Sequence, residues 1–288
     1  MWFRKCADYI LLTKPRIVLL FALTGFAALA LEGRTFDRPW WVVLVCLGMI
    51  GTAASANGLN QYLERDRDAL MERTRVKRPL PSGRIAPFGA FLFSTALGIA
   101  ACVLFWWITN WLSTALAAGT ILFYVIIYTL WLKPRTPYNI VIGGAAGATA
   151  PLIAWAAATG TLHWVPIVLF LIIFLWTPPH FWALALCYTE DYRTAGFPML
   201  PVVRGEERTR KEIWRYSWLV VPLPLLLAWW PAIGWLYTTG ALLLGIGFFW
   251  LAYRARYRPS KATAGGLFGY SIVYLLALSL LLITDALL

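Results

Sequence analysis

Charge is scarce in this sequence: 13% of its 288 residues are Asp, Glu, Lys or Arg, whereas 60% are hydrophobic. Soluble domains carry about 25% charge, so a water-soluble fold is excluded over most of the chain. Acids are rarer still, 13 against 25 Lys and Arg. The four cysteines, Cys6, Cys46, Cys102 and Cys187, have no CxxC or metal-type spacing, which excludes a disulfide framework and a zinc site.

What remains is apolar runs, and a mean hydropathy of +0.68 makes this a polytopic all-α membrane protein with no soluble domain left over. Runs of about 20 residues read as spans. There are nine: 9–30, 40–62, 87–108, 111–132, 139–159, 164–187, 214–231, 233–254 and 266–286. Residues 1–288 therefore read as one integral membrane domain. The first run is long enough to span and is interrupted at its start by Lys14, Pro15 and Arg16, which argues against a cleaved signal peptide.

The basic residues fix the orientation, because cytoplasmic loops hold the Lys and Arg excess. Alternate segments, beginning with the N-terminus, hold 23 of the 25; only Arg34 and Arg38 are left for the other side. The N-terminus is expected in the cytoplasm and the C-terminus outside, in a cytoplasmic (inner) membrane. The net charge of +12 is then mostly topology and not a nucleic-acid signal.

The densest charge lies between the second and third runs, NGLNQYLERDRDALMERTRVKRPLPSGR, residues 57–84. Asn60, Glu64 and Asp68 recur every fourth residue and share one helix face; Asp66 points nearly the opposite way. Two carboxylates and an amide suit Mg²⁺, a hard cation usually held by one or two carboxylates plus substrate phosphates. Arg73, Arg75, Lys77, Arg78 and Arg84 come next, among Pro79, Pro81 and Gly83, forming a cationic loop. The bland reading of each residue alone is a basic loop with solvated acids.

Other stretches leave alternatives open. Lys14 and Arg16 can snorkel to headgroups or reach a phosphate, headgroup contact being the favoured role. Lys133 and Arg135 suit a distal phosphate or a positive-inside stop signal. Small residues before Asn60 let neighbouring helices approach, and Pro151 is expected to kink the fifth span. Pro178 and Pro179 free carbonyls beside His180, which then faces a cavity. A second acidic cluster, Glu190 and Asp191, comes after span six as the first does after span two, suggesting two four-helix halves plus a ninth helix.

These residues resemble the UbiA superfamily of intramembrane prenyltransferases. Asn60, Glu64 and Asp68 fit its first motif, and MERTRVKRPLPSG (71–83) resembles the family's stretch C-terminal to that motif. YTLWLKPRTPYN (128–139), TPPHFW (177–182) and DYRTAGFPMLPVV (191–203) resemble the branch that farnesylates protoheme IX. The superfamily's second motif commonly has two aspartates four apart, whereas here Ala195 stands four residues after Asp191.

The resemblance implies transfer of a farnesyl group from farnesyl diphosphate to a vinyl group of protoheme IX (heme B), with addition of water. It implies catalytic Asn60, Glu64, Asp68 and Asp191, with Mg²⁺ on the three acids. Arg73, Lys77, Arg78, Lys133 and Arg135 bind diphosphate. His180 is a heme-pocket residue or a buried histidine satisfied by a freed carbonyl; His163 is read as a simple interfacial histidine. The implied setting is cytochrome oxidase assembly, with a heme A synthase or oxidase assembly factors as candidate partners. Prenylation of a quinone precursor and secondary transport are the rival readings.

Overall fold

The computed structural model describes residues 2–33 and 37–288, and every regular element among them is helical. In chain order these are α1 (Trp2–Leu12), α2 (Pro15–Glu32), α3 (Pro39–Asp68), the single turn α4 (Glu72–Arg75), α5 (Pro87–Ile108) and α6 (Trp111–Leu122). The last of these continues as a π-helical segment, Phe123–Leu132. Then come α7 (Asn139–Ala148), α8 (Ala150–Thr159), α9 (Trp164–Cys187), α10 (Thr189–Thr194), α11 (Leu200–Val220), a 3-10 segment Leu223–Trp229, α12 (Trp235–Tyr257) and α13 (Lys261–Leu287). Arg34, one of the two cations expected outside, lies outside the described residues.

Local chemistry sets the ends. Proline opens α2, α3 and α5, where a missing N–H costs nothing. Asn110 caps α6 by accepting from the Ser113 amide at 3.1 Å, which turns the α5–α6 hairpin in two residues. Ser260 and Thr263 form a capping box on α13. Pro151 stands just inside α8 after a break at Thr149, as the proline expectation has it.

Eight helices among the described residues are long and apolar enough to cross a membrane. They match the expected spans except the seventh, 214–231. There the end of α11 gives way to the 3-10 segment, because Pro222 and Pro224 cannot donate to a continuing helix.

Span α3 positions the site. Its 30 residues extend about 45 Å at 1.5 Å each, whereas the hydrocarbon core is about 30 Å thick. The polar last turns therefore project beyond the apolar layer. Close packing on α5 holds them: a Cβ on Gly58 would lie 2.1 Å from Ser94 Oγ, and one on Gly51 3.0 Å from the Ala101 methyl. The small-residue expectation for this span is borne out. Around it, α2 packs on α8 and α13, and α9 on α7, α11 and α13, so the first and last spans touch and close the bundle.

Candidate active site at the polar end of the bundle

The last three turns of α3 bury Asn60, Gln61, Glu64 and Asp68, each 4% exposed or less, while the Asp66 side chain is 85% exposed beside Arg65. A spacing of four thus delivers one polar, inward face. Three separate segments bring a cation to it. Lys133, at the end of the π-helical segment, puts Nζ 2.7 Å from Glu64 Oε2. Arg78, from the proline-rich loop, pairs with the Asp68 carboxylate. Lys14, between α1 and α2, donates to Asn60 Oδ1 at 2.9 Å.

Each cation is held by local backbone geometry. In the π-helical segment the Lys133 amide donates to Tyr128 O, five residues back, and Thr129 Oγ1 to Tyr124 O. Thr129 Oγ1 then accepts from Asn60 Nδ2 at 3.1 Å. Lys14 is the one non-glycine residue with positive φ, 57°, among the described residues, a backbone state costing about 1–2 kcal/mol. Gln61 Nε2 fixes that turn by donating to Leu12 O at 2.7 Å. Lys14 itself is half-buried. Desolvation pushes its ammonium down to about 7, Arg78 adding to the effect and Glu64 opposing it.

The second acidic cluster meets the first through the loop. Asp191 Oδ2 accepts from the Arg73 amide at 3.2 Å, and the Arg73 guanidinium reaches the Tyr192 hydroxyl at 3.5 Å and covers the Tyr188 ring. An apolar cluster with Met71, Tyr128, Tyr192, Ala195, Phe197 and Met199 lies beneath. Lys133 Nζ lies 4.8 Å from the centre of the Phe197 ring and 5.6 Å from that of Tyr128.

Several expected site residues go elsewhere. Asp191, expected as a third metal ligand, is not grouped with Glu64 and Asp68: no three His, Cys, Asp or Glu side chains form a metal cluster among the described residues. Lys77 is exposed, and its carbonyl accepts from Arg84. Arg135 is exposed and donates to the Leu130 and Trp131 carbonyls, closing the π-helical segment. Among the described residues no ion pair joins either to the acids. Glu190, weighed as a substitute ligand, faces solvent and pairs with Arg193.

His180 is buried between Trp176 and Phe268, with ring centres 4.3 and 4.8 Å away, and its Nδ1 lies 2.7 Å from Ser271 Oγ of α13. A freed carbonyl is the partner expected under the alternative to a heme pocket; the partner present is the Ser271 hydroxyl, and α9 runs unbroken through both prolines. Nε2 is left as the ring nitrogen for any further partner. His163 starts α9 at the opposite end, among Trp155, Trp164 and Trp230.

The residues fit a divalent cation. Asp68 Oδ1 is buried without a hydrogen-bond partner, and two carboxylates beside an amide are hard oxygen donors that leave further positions to phosphate. The sequence does not single out Thr129 or Gln61, and of the two roles it leaves open for Lys14 it favours headgroup contact, whereas the side chain points to Asn60. Only Arg16 of that pair is exposed.

Residues 18–281 match the UbiA prenyltransferase family. A protoheme IX farnesyltransferase of Gloeobacter violaceus is 48% identical over 94% of this chain and 89% of its own length. One from Synechocystis is 47% identical over 98% and 90%. Among solved structures, a UbiA homologue of Archaeoglobus fulgidus bound to DMAPP and Mg²⁺ superposes with a TM-score of 0.69 at 22% identity, covering 94% of this chain and 98% of its own. One from work on digeranylgeranylglyceryl phosphate synthase reaches 0.79 at 21%, covering 98% and 99%. With its helical bundle, its acidic helix face and a match along nearly its whole length, the chain belongs to the UbiA prenyltransferase family.

Proposed function

We propose that this protein transfers the farnesyl group of farnesyl diphosphate to a vinyl group of protoheme IX, with addition of water, releasing diphosphate and giving the hydroxyethylfarnesyl side chain of heme O. The observation that carries the donor half is the buried Glu64–Asp68 face with Lys133 and Arg78 paired onto it. The acceptor half rests on the near-full-length relatives, which are protoheme IX farnesyltransferases.

The chemistry is governed by charge. The bond between farnesyl C1 and its oxygen breaks with both electrons leaving on diphosphate, and that developing anion must be neutralised. Glu64 and Asp68 would hold a divalent cation, which when bound would supply Lewis-acid neutralisation of the leaving group. Lys133 and Arg78 add charge-assisted hydrogen bonds to its oxygens. Asp191 fixes the loop by holding the Arg73 amide. The allylic cation left behind is stabilised by ring faces, for which Phe197 and Tyr128 beside Lys133 are suited. The vinyl π pair then bonds to C1, and water adds to the carbon next to the porphyrin, losing a proton.

Extracting hemes from cells with and without the protein and recording their mass spectra tests this directly. Heme O only in its presence is the expected result; a farnesylated quinone precursor instead would overturn the acceptor.

The heme side is testable at His180. His180→Ala is expected to weaken heme binding and shift the Soret band while leaving affinity for a non-hydrolysable farnesyl diphosphate analogue intact; Arg78→Ala should do the reverse. If heme titration is unchanged in the first variant, His180 only packs against Trp176 and Phe268.

The membrane is crossed nine times in this reading, α11 and the 3-10 segment making the seventh passage, in two four-helix halves plus one. The N-terminus is cytoplasmic. Reporters fused after residues 84, 135 and 205 should read cytoplasm, and one after 288 the exterior. An external signal at 84 would put the acidic face on the wrong side and sink the topology.

A further inference from the structure

Arg84, one of the cations of the proline-rich loop, has no part in the chemistry above. Its guanidinium gathers three acceptors: Nε donates to Asp8 Oδ1 of α1 at 2.8 Å, Nη1 to Val76 O at 3.1 Å and Nη2 to Lys77 O at 3.0 Å. Val76 and Lys77 immediately precede Arg78. After Arg78 the chain folds back, with Gly83 at φ 71° making the turn, Ser82 Oγ donating to Arg78 O at 2.8 Å and the Arg84 amide to Pro79 O at 3.0 Å. Arg84 thus ties both arms of the Arg78 loop together, a task suited to the fixed fork of a guanidinium.

The third acceptor comes from outside the loop. Asp8 belongs to α1, which also packs on the loop through Leu12 against Leu80, Ile85 and Ala90. Tyr9 meets Phe93 of α5 with ring centres 4.9 Å apart. On a helical wheel Arg4, Lys5 and Asp8 share one arc of α1, and Cys6, Ala7 and Ile10 lie across from them. Arg4, Lys5, Cys6, Ala7 and Ile10 are all exposed, as are Ile17 and Leu19 at the start of span α2, and only Thr13 and Lys14 separate the two helices. A helix with cations on one side and an apolar arc on the other, joined directly to a span, is built to lie in the headgroup layer. Its exposed Arg4 and Lys5, with Arg16 beyond the corner, favour anionic headgroups.

We propose that α1 is seated on anionic lipid, and that Asp8 and Arg84 are positioning residues which hold the Arg78 loop over the acidic face from that seat. This rests on the farnesyl diphosphate reading above. Arg84 orients Arg78, and Asp8 orients Arg84. Anionic lipid then tightens the binding of prenyl diphosphate by ordering a loop, without contacting the substrate.

The test uses the full-length protein in nanodiscs, with Mg²⁺ and farnesyl thiolodiphosphate binding followed by calorimetry. Asp8 and Arg84 form a partly exposed pair, so Asp8→Asn should weaken binding about 2- to 5-fold, and Asp8→Glu should recover it. Arg84→Gln, which also gives up the two carbonyls, should weaken it about 10-fold. In an Arg78→Ala background Arg84→Gln should cost nothing further, because it acts through Arg78. Additive losses would mean that Arg84 meets the phosphates itself, and the positioning role falls. It falls equally if both single variants bind like the parent.

The lipid seat is read on the parent by comparing phosphatidylcholine nanodiscs with an equimolar mixture of phosphatidylcholine and phosphatidylglycerol. The anionic bilayer should tighten binding about 5-fold, the scale of one basic contact with the surface, and Arg4→Gln with Lys5→Gln should remove most of that difference. A spin label on Cys6, with Cys46, Cys102 and Cys187 replaced by alanine, should be relaxed by oxygen more than by an aqueous nickel chelate. The reverse order, or equal affinity in the two bilayers, would overturn the seat. A parent protein that binds no prenyl diphosphate in either bilayer would instead overturn the functional reading on which this rests.

Discussion

Glu64→Gln and Asp68→Asn are each expected to lower heme O formation by about 100- to 1000-fold, the scale for removing one preorganised charge from a developing anion. Both substitutions keep side-chain volume, and both residues lie in the last turns of α3. Membrane insertion and thermal unfolding should therefore be little changed. Asp66→Asn, at a side chain 85% exposed, should stay within about twofold of the parent. Mass spectrometry of product formed in membranes reads all three. Equal losses at the three positions would refute the single-face arrangement.

Gly143→Ala should damage the same site from behind. A Cβ there would lie 2.1 Å from Tyr128 Cδ2, a separation no real pair adopts. The obstacle is a buried ring on the π-helical segment, not the loose end of a flexible chain. Overpacking of this kind costs about 1–3 kcal/mol. The ring must shift, and Tyr128 O is the acceptor that anchors the Lys133 amide, so Lys133 moves off Glu64. Turnover should fall about 10-fold or more, with a raised KM for farnesyl diphosphate and the membrane-inserted fold retained. A variant with unchanged kinetics would mean that Tyr128 repacks without moving Lys133.

Most of the fold could be read from the sequence because a bilayer imposes one length scale. Apolar runs of the right length become spans whatever their neighbours, and eight did. The exception, 214–231, is not one continuous helix, because its prolines break the helical ladder although its hydropathy is high. The acidic face was also legible, since a period of four is local information.

The cations were not. The basic residues from Arg65 to Lys133 differ little as letters, and Lys77 and Arg135 look as suited to phosphate as Arg78 and Lys133. Packing separates them: Arg78 and Lys133 reach the acids, Arg135 closes its own helix end and Lys77 faces solvent. Lys14 lies 46 residues from Asn60 in sequence. Nothing local reports that contact, beyond a Lys-Pro pair at the mouth of an apolar run.

The meeting of α2 with α13 has a consequence for synthesis. A ribosome releases the acids of α3 and the cations that answer them long before the final 27-residue helix emerges. Until it does, α2 and α9 lack one of their neighbours, and His180 lacks Ser271. The nascent chain thus reaches the membrane with its polar end assembled and one side still open to lipid, and the His180 pocket, the acceptor side in the function proposed above, is finished last. Chains arrested before Lys261 should bind prenyl diphosphate better than they bind heme.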